Sequence, residues 1–266
     1  MRRTALFLIL FFTACPPVLP QIDAGPTSNP TLKHAHNDYE HPRPLLDALE
    51  ANFESVEADL WLDGTDLGVS HDGAPYKGSL KSLYLDPLAA RLASNNGSVH
   101  GDGKPFYLWL DLKNGSAALQ SALAAQLADS PFLTRFDDTG PARAGAVIVV
   151  LTGDDAGKRA MVNLPAPRPY TRDSNSFSVN DPPADGKWGF YAVNYYAFMQ
   201  WDGAGAMPAT QRRQLENLIN GAHATGRPIR LFANPDTASY WAEAKAAQAD
   251  FVNTDKLAEL AAAFTP

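Results

Sequence analysis

The sequence has few of the features that mark several large classes of protein. It contains a single cysteine, Cys15, which excludes an intramolecular disulfide. After Arg2 and Arg3 it has no cluster of lysine and arginine, and its formal net charge is −7. An acidic chain without a basic patch is poorly suited to phosphate-backbone contacts, so we do not expect nucleic acid as a partner. No Gly-x-Gly-x-x-Gly or Walker motif opens a helical pattern, so nothing indicates a nucleotide-binding sheet.

The apolar run near the N-terminus, residues 5–12, is too short to span a bilayer and predicts a signal peptide. The segment FTAC, ending at Cys15, resembles a bacterial lipobox, although Phe12 stands where leucine is usual. We therefore expect residues 1–15 to be a lipoprotein-type signal peptide and Cys15 to carry a lipid anchor to the membrane. The protein would then be secreted and held at the bacterial cell envelope. Alternatively, Cys15 is incidental and cleavage occurs at another small residue.

Residues 16–30 are rich in proline and show no periodicity, which predicts a tether before a domain at 31–266. In that domain short β-rich segments alternate with helical patterns, as in parallel βαβ units. Strands are predicted at residues 32–36, 55–61, 106–112, 146–151, 169–172, 189–194, 228–232 and 250–253. Helices are predicted at residues 45–51, 82–92, 116–128, 154–162, 210–225, 237–247 and 256–263.

This order predicts an α/β fold, a single (β/α)8 TIM barrel with one irregular crossover. The irregular crossover is residues 174–187, SNSFSVNDPPADGK, which have no helical pattern. An open doubly wound sheet is the alternative. In a barrel the active site lies at the C-terminal ends of the strands, and polar residues do collect at the ends of the first three predicted strands.

Carboxylates dominate this collection. In VEADLWL, Glu57 and Asp59 are two residues apart on a strand, so both side chains point to one face. Two neighbouring carboxylates repel each other, and a hard divalent cation is the simplest way to hold them together. Asp111, at the end of the next predicted strand, and the amide of Asn37 can supply further oxygen ligands. An oxygen ligand set favours Mg²⁺ or Ca²⁺ over Zn²⁺.

Two histidines accompany these carboxylates. His36 and His71 lie in different loops at the same end of the predicted barrel and suit general acid and base catalysis. His34 is an alternative to His36 in this role. Lys113, two residues beyond Asp111, can balance negative charge on a substrate, or it can be an exposed lysine at the rim.

A rival prediction starts from His34-Ala35-His36, which is also the H-x-H of zinc-dependent amidohydrolases. That chemistry needs further histidine ligands at later strand ends, and neither His100 nor His223 is so placed. Asp255, after the eighth strand, would suit the zinc site.

Four motifs resemble the phosphatidylinositol-phospholipase-C-like phosphodiesterase superfamily, which includes glycerophosphodiester phosphodiesterases and spider-venom sphingomyelinases D. They are AHNDY at residues 35–39, VEADLWL at 56–62, VSHD at 69–72 and LWLDLKNGS at 108–116. The resemblance implies that His36 and His71 are catalytic, that Asn37, Glu57, Asp59 and Asp111 bind metal, and that Lys113 contacts the substrate. HAHNDYEHPRPLLDAL and VVLTG look most like the altered-inheritance-of-mitochondria protein 6 family.

One departure concerns the metal ligands. Glycerophosphodiesterases have His-Arg-Gly after the first strand and a Glu-Asn-Thr soon after, where this chain has His-Asn-Asp and HPRPL. One metal-binding glutamate is therefore missing.

Together these observations predict a monomeric, metal-dependent phosphodiesterase that acts on a small-molecule or lipid phosphodiester, such as a glycerophosphodiester or a (lyso)phospholipid. The competing hypothesis is a catalytically silent lipoprotein that binds glycan or lipid at the barrel mouth. Its support is the aromatic segment FYAVNYYAFMQW at residues 190–201, which can also simply cap the barrel.

Overall fold

The computed structural model describes residues 31–264, which form a closed barrel surrounded by helices. Ten strands lie in these residues: β1 (Leu32–Ala35), β2 (Ser55–Asp63), β3 (Asp66–Val69), β4 (Gly78–Ser79), β5 (Phe106–Leu112), β6 (Val147–Gly153), β7 (Thr171–Ser174), β8 (Trp188–Asn194), β9 (Ile229–Phe232) and β10 (Phe251–Thr254). Eight of them pair in parallel in the order β1-β2-β5-β6-β7-β8-β9-β10, and β10 closes the ring on β1. The predicted TIM barrel is confirmed, and the open-sheet alternative is wrong.

Seven α-helices lie in the same residues: α1 (Leu46–Glu50), α2 (Asp86–Ser94), α3 (Ala117–Ala128), α4 (Asp155–Val162), α5 (Ala209–Ala224), α6 (Ala238–Ala246) and α7 (Leu257–Phe264). A π-helical turn, Lys81–Leu85, leads into α2. Within residues 31–264 no helix combines the length and the apolar character that crossing a bilayer requires.

The crossover between β7 and β8 contains no helix, as the sequence predicts. Pro182 and Pro183 lie in it, and proline has no backbone N–H to continue a helical hydrogen-bond ladder. The buried side chain of Arg227 donates hydrogen bonds to the carbonyl oxygens of both prolines, at 2.6 and 3.0 Å, and its guanidinium lies 3.7 Å from the ring centroid of Trp188. Arg227 therefore holds the irregular crossover against the barrel.

The hairpin of β2, β3 and β4 is absent from the sequence prediction. β3 pairs antiparallel with β2 across the two-residue turn Gly64-Thr65. Gly64 has a φ of 62°, the left-handed conformation that such short hairpin turns require. The Asp63-Gly64 pair is a hairpin signal that could have been recognised.

Two apolar clusters build the core. The larger lies between the strands and the helices, and includes the leucines that α2, α3 and α5 direct inward. The smaller fills the inside of the barrel with Trp109, Val150, Phe190, Ala192 and Phe251. Because successive strand residues face opposite sides, the same strands supply both clusters.

Candidate active site

The inside of the barrel changes from aromatic to charged towards the C-terminal ends of its strands. Trp109 lies in the apolar interior cluster, and Asp111, two residues later on the same face of β5, lies at the mouth. Asp59 on β2 pairs in register with Asp111. All seven residues predicted for the site are at this end, on or just after β1, β2, β3 and β5: His36, Asn37, Glu57, Asp59, His71, Asp111 and Lys113.

His36 follows β1 and is oriented by Asp255, which follows β10. The parallel pairing of β1 with β10 puts the two residues side by side. His36 Nδ1 lies 2.8 Å from Asp255 Oδ1, so the ring donates its Nδ1–H to the carboxylate and Nε2 stays free. That Nε2 lies 3.8 Å from Glu57 Oε2, inside the mouth. Burial lowers the pKa of His36, but the Asp255 hydrogen bond and the charge of Glu57 outweigh it, and the pKa lies above its usual value.

His34, two residues earlier on β1, is engaged through both ring nitrogens. Nδ1 lies 2.7 Å from Ser55 Oγ, and Nε2 lies 2.9 Å from Arg230 Nη1. Arginine can only donate, so Nε2 is the acceptor and Nδ1 carries the proton of a neutral ring. Burial, with the charge of Arg230, lowers the pKa of His34 to about 3. His34 is therefore neutral and supports the site through its hydrogen bonds. Because both of its ring nitrogens are engaged, the zinc-site alternative loses one ligand of its His34-Ala35-His36 pair.

His71 reaches the mouth because the hairpin turns back along β2. Val69 pairs with Leu60, and Ser70 N donates to the carbonyl oxygen of Asp59 at 3.3 Å. His71 Nδ1 consequently lies 3.3 Å from Asp59 Oδ2, while 58% of its side chain remains exposed. The two histidines thus reach two neighbouring carboxylates of β2 from different loops.

Lys113 lies between two carboxylates at the rim. Its Nζ is 2.6 Å from Asp59 Oδ2 and 3.6 Å from Asp111 Oδ2. Burial raises the pKa of Asp111 to about 6, and the charges of Glu57 and Asp59 add to the rise. The pKa of Asp59 is also raised, mainly by burial. The three carboxylates are therefore close enough to repel one another, as the sequence predicts.

Gly153, the last residue of VVLTG, makes room for Asp111. It ends β6 with a φ of +82°, and a Cβ built on it would lie 2.1 Å from Asp111 Oδ1. Any larger residue would displace this carboxylate, so a glycine is required on both steric and conformational grounds.

Tyr39 joins Asn37 to Asp59. Asn37 adopts the left-handed conformation, with a φ of 44°, and directs its amide towards the same side as Tyr39. The Tyr39 hydroxyl lies 3.0 Å from Asn37 Oδ1 and 2.8 Å from Asp59 Oδ2, and donates its proton to one of them at a time. The Asn37 oxygen is thereby held near the carboxylate with which it is predicted to share a cation.

Arg230 lies beneath the site and was missed by the sequence prediction. It is 2% exposed, on β9, and its Nη2 donates to Glu57 Oε1 at 2.8 Å. Its Nη1 also reaches Asn253 Oδ1 at 3.1 Å, and its guanidinium lies 4.7 Å from the Trp109 ring centroid. Burial works to raise the pKa of Glu57, but Arg230 holds it well below its usual range. The sequence signal that could have revealed Arg230 is its charge within the otherwise apolar strand IRLF.

A second buried ion pair lies on the other side of the barrel. Lys158 on α4 and Asp173 on β7 are both fully buried, and Lys158 Nζ lies 2.6 Å from Asp173 Oδ1. Lys158 also donates to Asn175 Oδ1. Helix α4 begins after Asp154, whose Oδ1 accepts a hydrogen bond from Gly157 N at 2.7 Å. The sequence prediction missed this pair as well.

The side chains at the mouth are of the types that the predicted cation would need. Glu57 Oε2 is buried without a hydrogen-bond partner among the described residues, because its nearest histidine nitrogens are 3.8 Å away. Together with Asp59 and Asp111 it forms the all-oxygen set that Mg²⁺ and Ca²⁺ prefer, so the residue types fit. As they stand, no three His, Cys, Asp or Glu side chains within residues 31–264 are arranged to hold a metal ion. Lys113 lies between Asp59 and Asp111, Arg230 is bonded to Glu57, and the metal site stays a prediction.

The crystal structure of a glycerophosphodiester phosphodiesterase from Parabacteroides distasonis superposes with a TM-score of 0.51, covering 88% of this chain and 96% of that one at 15% sequence identity. At this identity the likeness shows the fold alone. The chain therefore shares the TIM-barrel fold of this enzyme.

A family model described as "AIM6-like phosphodiesterase domain" matches residues 26–166, slightly more than half of the chain. The chain belongs to this family. Altered inheritance of mitochondria protein 6 of Eremothecium gossypii is 34% identical over 161 residues, which cover 53% of this chain and 41% of that protein. The protein of the same name from a Saccharomyces cerevisiae strain is 26% identical over 243 residues, covering 78% of this chain and 62% of that protein. The chain thus spans less than two thirds of the length of these curated relatives.

These relatives contradict the predicted localisation. They are yeast proteins named for altered inheritance of mitochondria, and not secreted lipoproteins of a bacterial cell envelope. The prediction of a protein anchored at a bacterial envelope is therefore wrong. Residues 1–30, with the lipobox-like pattern at Cys15 and the expected signal peptide and tether, lie outside the described residues.

Proposed function

We propose that this protein is a metal-dependent phosphoric diester hydrolase or lyase that works by acid–base catalysis between His36 and His71. One observation carries the proposal: two histidines from different loops reach the adjacent carboxylates Glu57 and Asp59, and one of them is oriented by a carboxylate of its own. Such a histidine–carboxylate pair is the arrangement in which a neutral imidazole acts as a base.

The proton transfers follow from the two rings. His36, with its Nδ1–H bonded to Asp255, presents Nε2 as the base that removes the proton of the attacking hydroxyl. The oxygen then attacks phosphorus, the bond from phosphorus to the leaving oxygen breaks, and His71 supplies the proton that this oxygen needs. When the hydroxyl belongs to the substrate, the first product is a cyclic phosphate. No protein nucleophile is required.

The phosphoryl group needs positive charge around it. Lys113 is 21% exposed at the rim and is the residue that can contact the phosphoryl oxygens directly. Glu57, Asp59 and Asp111, with the amide of Asn37, would hold Mg²⁺ or Ca²⁺, which when bound stabilises negative charge on the phosphoryl oxygens. Candidate substrates are a glycerophosphodiester and a (lyso)phospholipid.

The alternative of a silent glycan- or lipid-binding barrel draws little support from the aromatic segment after β8. Phe190, Tyr191, Tyr195 and Trp201 are buried in the structure. Only Tyr196, at 48%, is a largely exposed aromatic residue in this segment. The aromatic residues therefore pack the barrel and its rim, and offer little surface for stacking on a ligand.

An assay on a panel of substrates tests the proposal. Purified protein with Mg²⁺ or Ca²⁺ should cleave bis-nitrophenyl phosphate, a glycerophosphodiester or a lysophospholipid. His36→Ala should lower the rate by about 10²- to 10⁴-fold, the contribution of a general acid or base. His100→Ala is the matched control, since His100 precedes β5 at the opposite end of the barrel and bonds Phe53 O at 2.8 Å. If the wild type cleaves no substrate and His36→Ala is equally inactive, the proposed activity is refuted. Cleavage at equal rates by His36→Ala and the wild type would refute the catalytic role of His36.

A further inference from the structure

The sequence contains three Asn-Gly pairs, and they lie in three different environments. Asn96-Gly97 is in the loop between α2 and β5, Asn114-Gly115 is between β5 and α3, and Asn220-Gly221 is inside α5. In such a pair the glycine nitrogen can attack the side-chain carbonyl of the asparagine, because glycine has no Cβ to hinder the approach. The first two pairs are each followed by serine, so a difference in reactivity between them should come from structure.

The hydrogen bonds around Asn114 favour this attack. Asn114 Oδ1 accepts a hydrogen bond from Ser116 N at 3.1 Å, which places the side-chain carbonyl beside the backbone of Gly115. The same bond polarises the carbonyl and stabilises the negative charge that develops on its oxygen. Gly115 N has no hydrogen-bond partner within residues 31–264, so it is available as the nucleophile. Asn114 and Gly115 are only half-buried, and water can therefore reach them.

The Asn96-Gly97 pair lacks both features, although it is the more exposed of the two. Its glycine nitrogen donates to Leu92 O at 2.9 Å, and that bond must break before the nitrogen can attack. The nitrogen of the following serine donates to Asn95 O at 3.1 Å, and not to the side chain of Asn96. Exposure alone would rank Asn96 as the more reactive asparagine, whereas the hydrogen bonds rank Asn114 first.

Residue 115 must be a glycine for a packing reason that has nothing to do with Asn114. A Cβ built on Gly115 would collide with Asp154 Oδ1 at the start of α4. A Cβ built on Gly157 of that helix would lie 2.8 Å from Gly115 Cα. The packing of the fold therefore retains the glycine of this pair, directly after Lys113, the residue proposed to contact the phosphoryl oxygens.

We propose that Asn114 is a modification site, which converts itself to aspartate or isoaspartate and thereby weakens the binding of an anionic substrate at Lys113. Gly115 N forms a bond to Asn114 Cγ, the bond from Cγ to the amide nitrogen breaks, and ammonia leaves with the proton of Gly115 N. Water then opens the resulting succinimide at either of its two carbonyls, which leaves a carboxylate at residue 114. The effect on substrate binding rests on the proposed function, whereas the conversion itself does not.

The new charge would lie next to a lysine that already has two acidic neighbours. Lys113 Nζ is 2.6 Å from Asp59 Oδ2 and 3.6 Å from Asp111 Oδ2. A further carboxylate at residue 114 makes this part of the rim less attractive to an anionic phosphodiester. Isoaspartate also adds one atom to the backbone where Gly115 packs tightly against α4. Both products should therefore weaken substrate binding.

Mass spectrometry of the three Asn-Gly peptides, after incubation of the folded full chain at mildly alkaline pH, tests the conversion. We expect Asn114 to convert at least about fivefold faster than Asn96, the factor that corresponds to one backbone hydrogen bond. Asn220, within the hydrogen-bond ladder of α5, should convert most slowly. In the chain unfolded by urea, Asn96 and Asn114 should convert at similar rates.

Asn114→Ser is the matched variant for this measurement. Its hydroxyl can still accept a hydrogen bond from Ser116 N, but it has no amide to lose, so the peptide that contains residue 114 should stay unchanged. Conversion of Asn96 as fast as, or faster than, conversion of Asn114 in the folded protein would overturn the modification site.

Asn114→Asp introduces the charge of the product directly and tests its effect on binding. KM for a glycerophosphodiester should rise about threefold to tenfold with kcat nearly unchanged, and the rise should shrink in high salt. Asn96→Asp is the control, because it adds the same charge in the loop before β5, at the opposite end of the barrel, and should keep the wild-type KM.

Equal KM values for Asn114→Asp and Asn96→Asp would overturn the effect on substrate binding and leave the phosphodiesterase standing. If no form of the protein cleaves any substrate, that effect falls together with the proposed function, while the conversion rates of Asn114 and Asn96 still decide whether Asn114 is a modification site.

Discussion

The two halves of the barrel contribute different groups to its mouth. The first half, residues 33–113, carries the groups proposed to react, including His36, His71 and the three carboxylates. The second half, residues 147–255, carries Asp255, which orients His36, and Arg230, which balances the charge of Glu57, together with the separate buried pair of Lys158 and Asp173. Reactive groups lie together in short motifs, whereas Asp255 and Arg230 come from segments more than 100 residues away along the chain. A change in the second half should therefore act through orientation, charge or stability.

The largest effect is expected for Lys158→Met, which leaves Asp173 as an unpaired charge in the fully buried region between α4 and β7. Loss of one partner of a buried ion pair costs roughly 3–5 kcal/mol in the free energy of unfolding. Denaturant unfolding measures it. Arg159→Met is the matched control, since Arg159 on the same helix pairs with Asp155 in solvent and should cost much less. Equal losses in the free energy of unfolding for the two variants would show that the buried pair stabilises the fold no more than the exposed pair does.

A pH-dependent effect is expected from Asp38 in the first half. Asp38 Oδ2 accepts hydrogen bonds from Leu45 N at 2.5 Å and from Tyr84 Oη at 3.0 Å, and burial raises its pKa to about 7. A raised folded-state pKa means that the protonated form is favoured by folding, so stability is lost as pH rises from about 4 to about 7. The loss is on the order of 4 kcal/mol at about 1.4 kcal/mol per pH unit.

Asp38→Asn removes this dependence, because an amide can accept the same hydrogen bonds without a charge. Urea unfolding between pH 4.5 and 8 should show the wild type weakening relative to Asp38→Asn as pH rises. A constant difference between the two proteins across this range would contradict the raised pKa of Asp38.

A smaller effect, on activity, is expected for Asp255→Asn. Asp255 orients His36 from the second half of the barrel and is 64% exposed, so its replacement should leave the unfolding temperature nearly unchanged. The rate should fall by about tenfold to a hundredfold, less than for loss of the histidine itself. The comparison is with Glu259→Gln, an exposed carboxylate on α7, which should keep the wild-type rate. An unchanged rate in Asp255→Asn would show that Asp255, from the second half of the barrel, has no role in the proposed catalysis.

The smallest effect is expected at the surface of the first half. Arg43 pairs with Asp47 and Glu50 in solvent. Burial raises the pKa of Asp47, but the hydrogen bonds and the charge of Arg43 together lower it below its usual value, and the same arginine lowers the pKa of Glu50. The stability that Arg43 contributes is therefore present at neutral pH and is lost as acid protonates the carboxylates. Thermal unfolding of Arg43→Ala should show a loss that is small at pH 7, disappears at low pH, and shrinks in high salt.

Local patterns allowed most of the fold to be predicted. All eight barrel strands and all seven helices lie within a few residues of the predicted segments, because apolar periodicity is a property of neighbouring residues. The β3–β4 hairpin was missed because its strands are only four and two residues long. The candidate site was found only in part, since motifs name the residues that react and not the residues that pair with them.

By itself the sequence determined the (β/α)8 order, the irregular crossover and the group of carboxylates and histidines at the ends of the first strands. Only the tertiary structure decided which histidine has a free nitrogen at the mouth and which groups balance the carboxylates. His34 and His36 are equivalent as sequence, yet Arg230 from β9 makes one a neutral support and Asp255 after β10 orients the other. The physical reason is that closing the barrel pairs β10 with β1 and puts β9 next to β10, which brings together residues that are far apart along the chain.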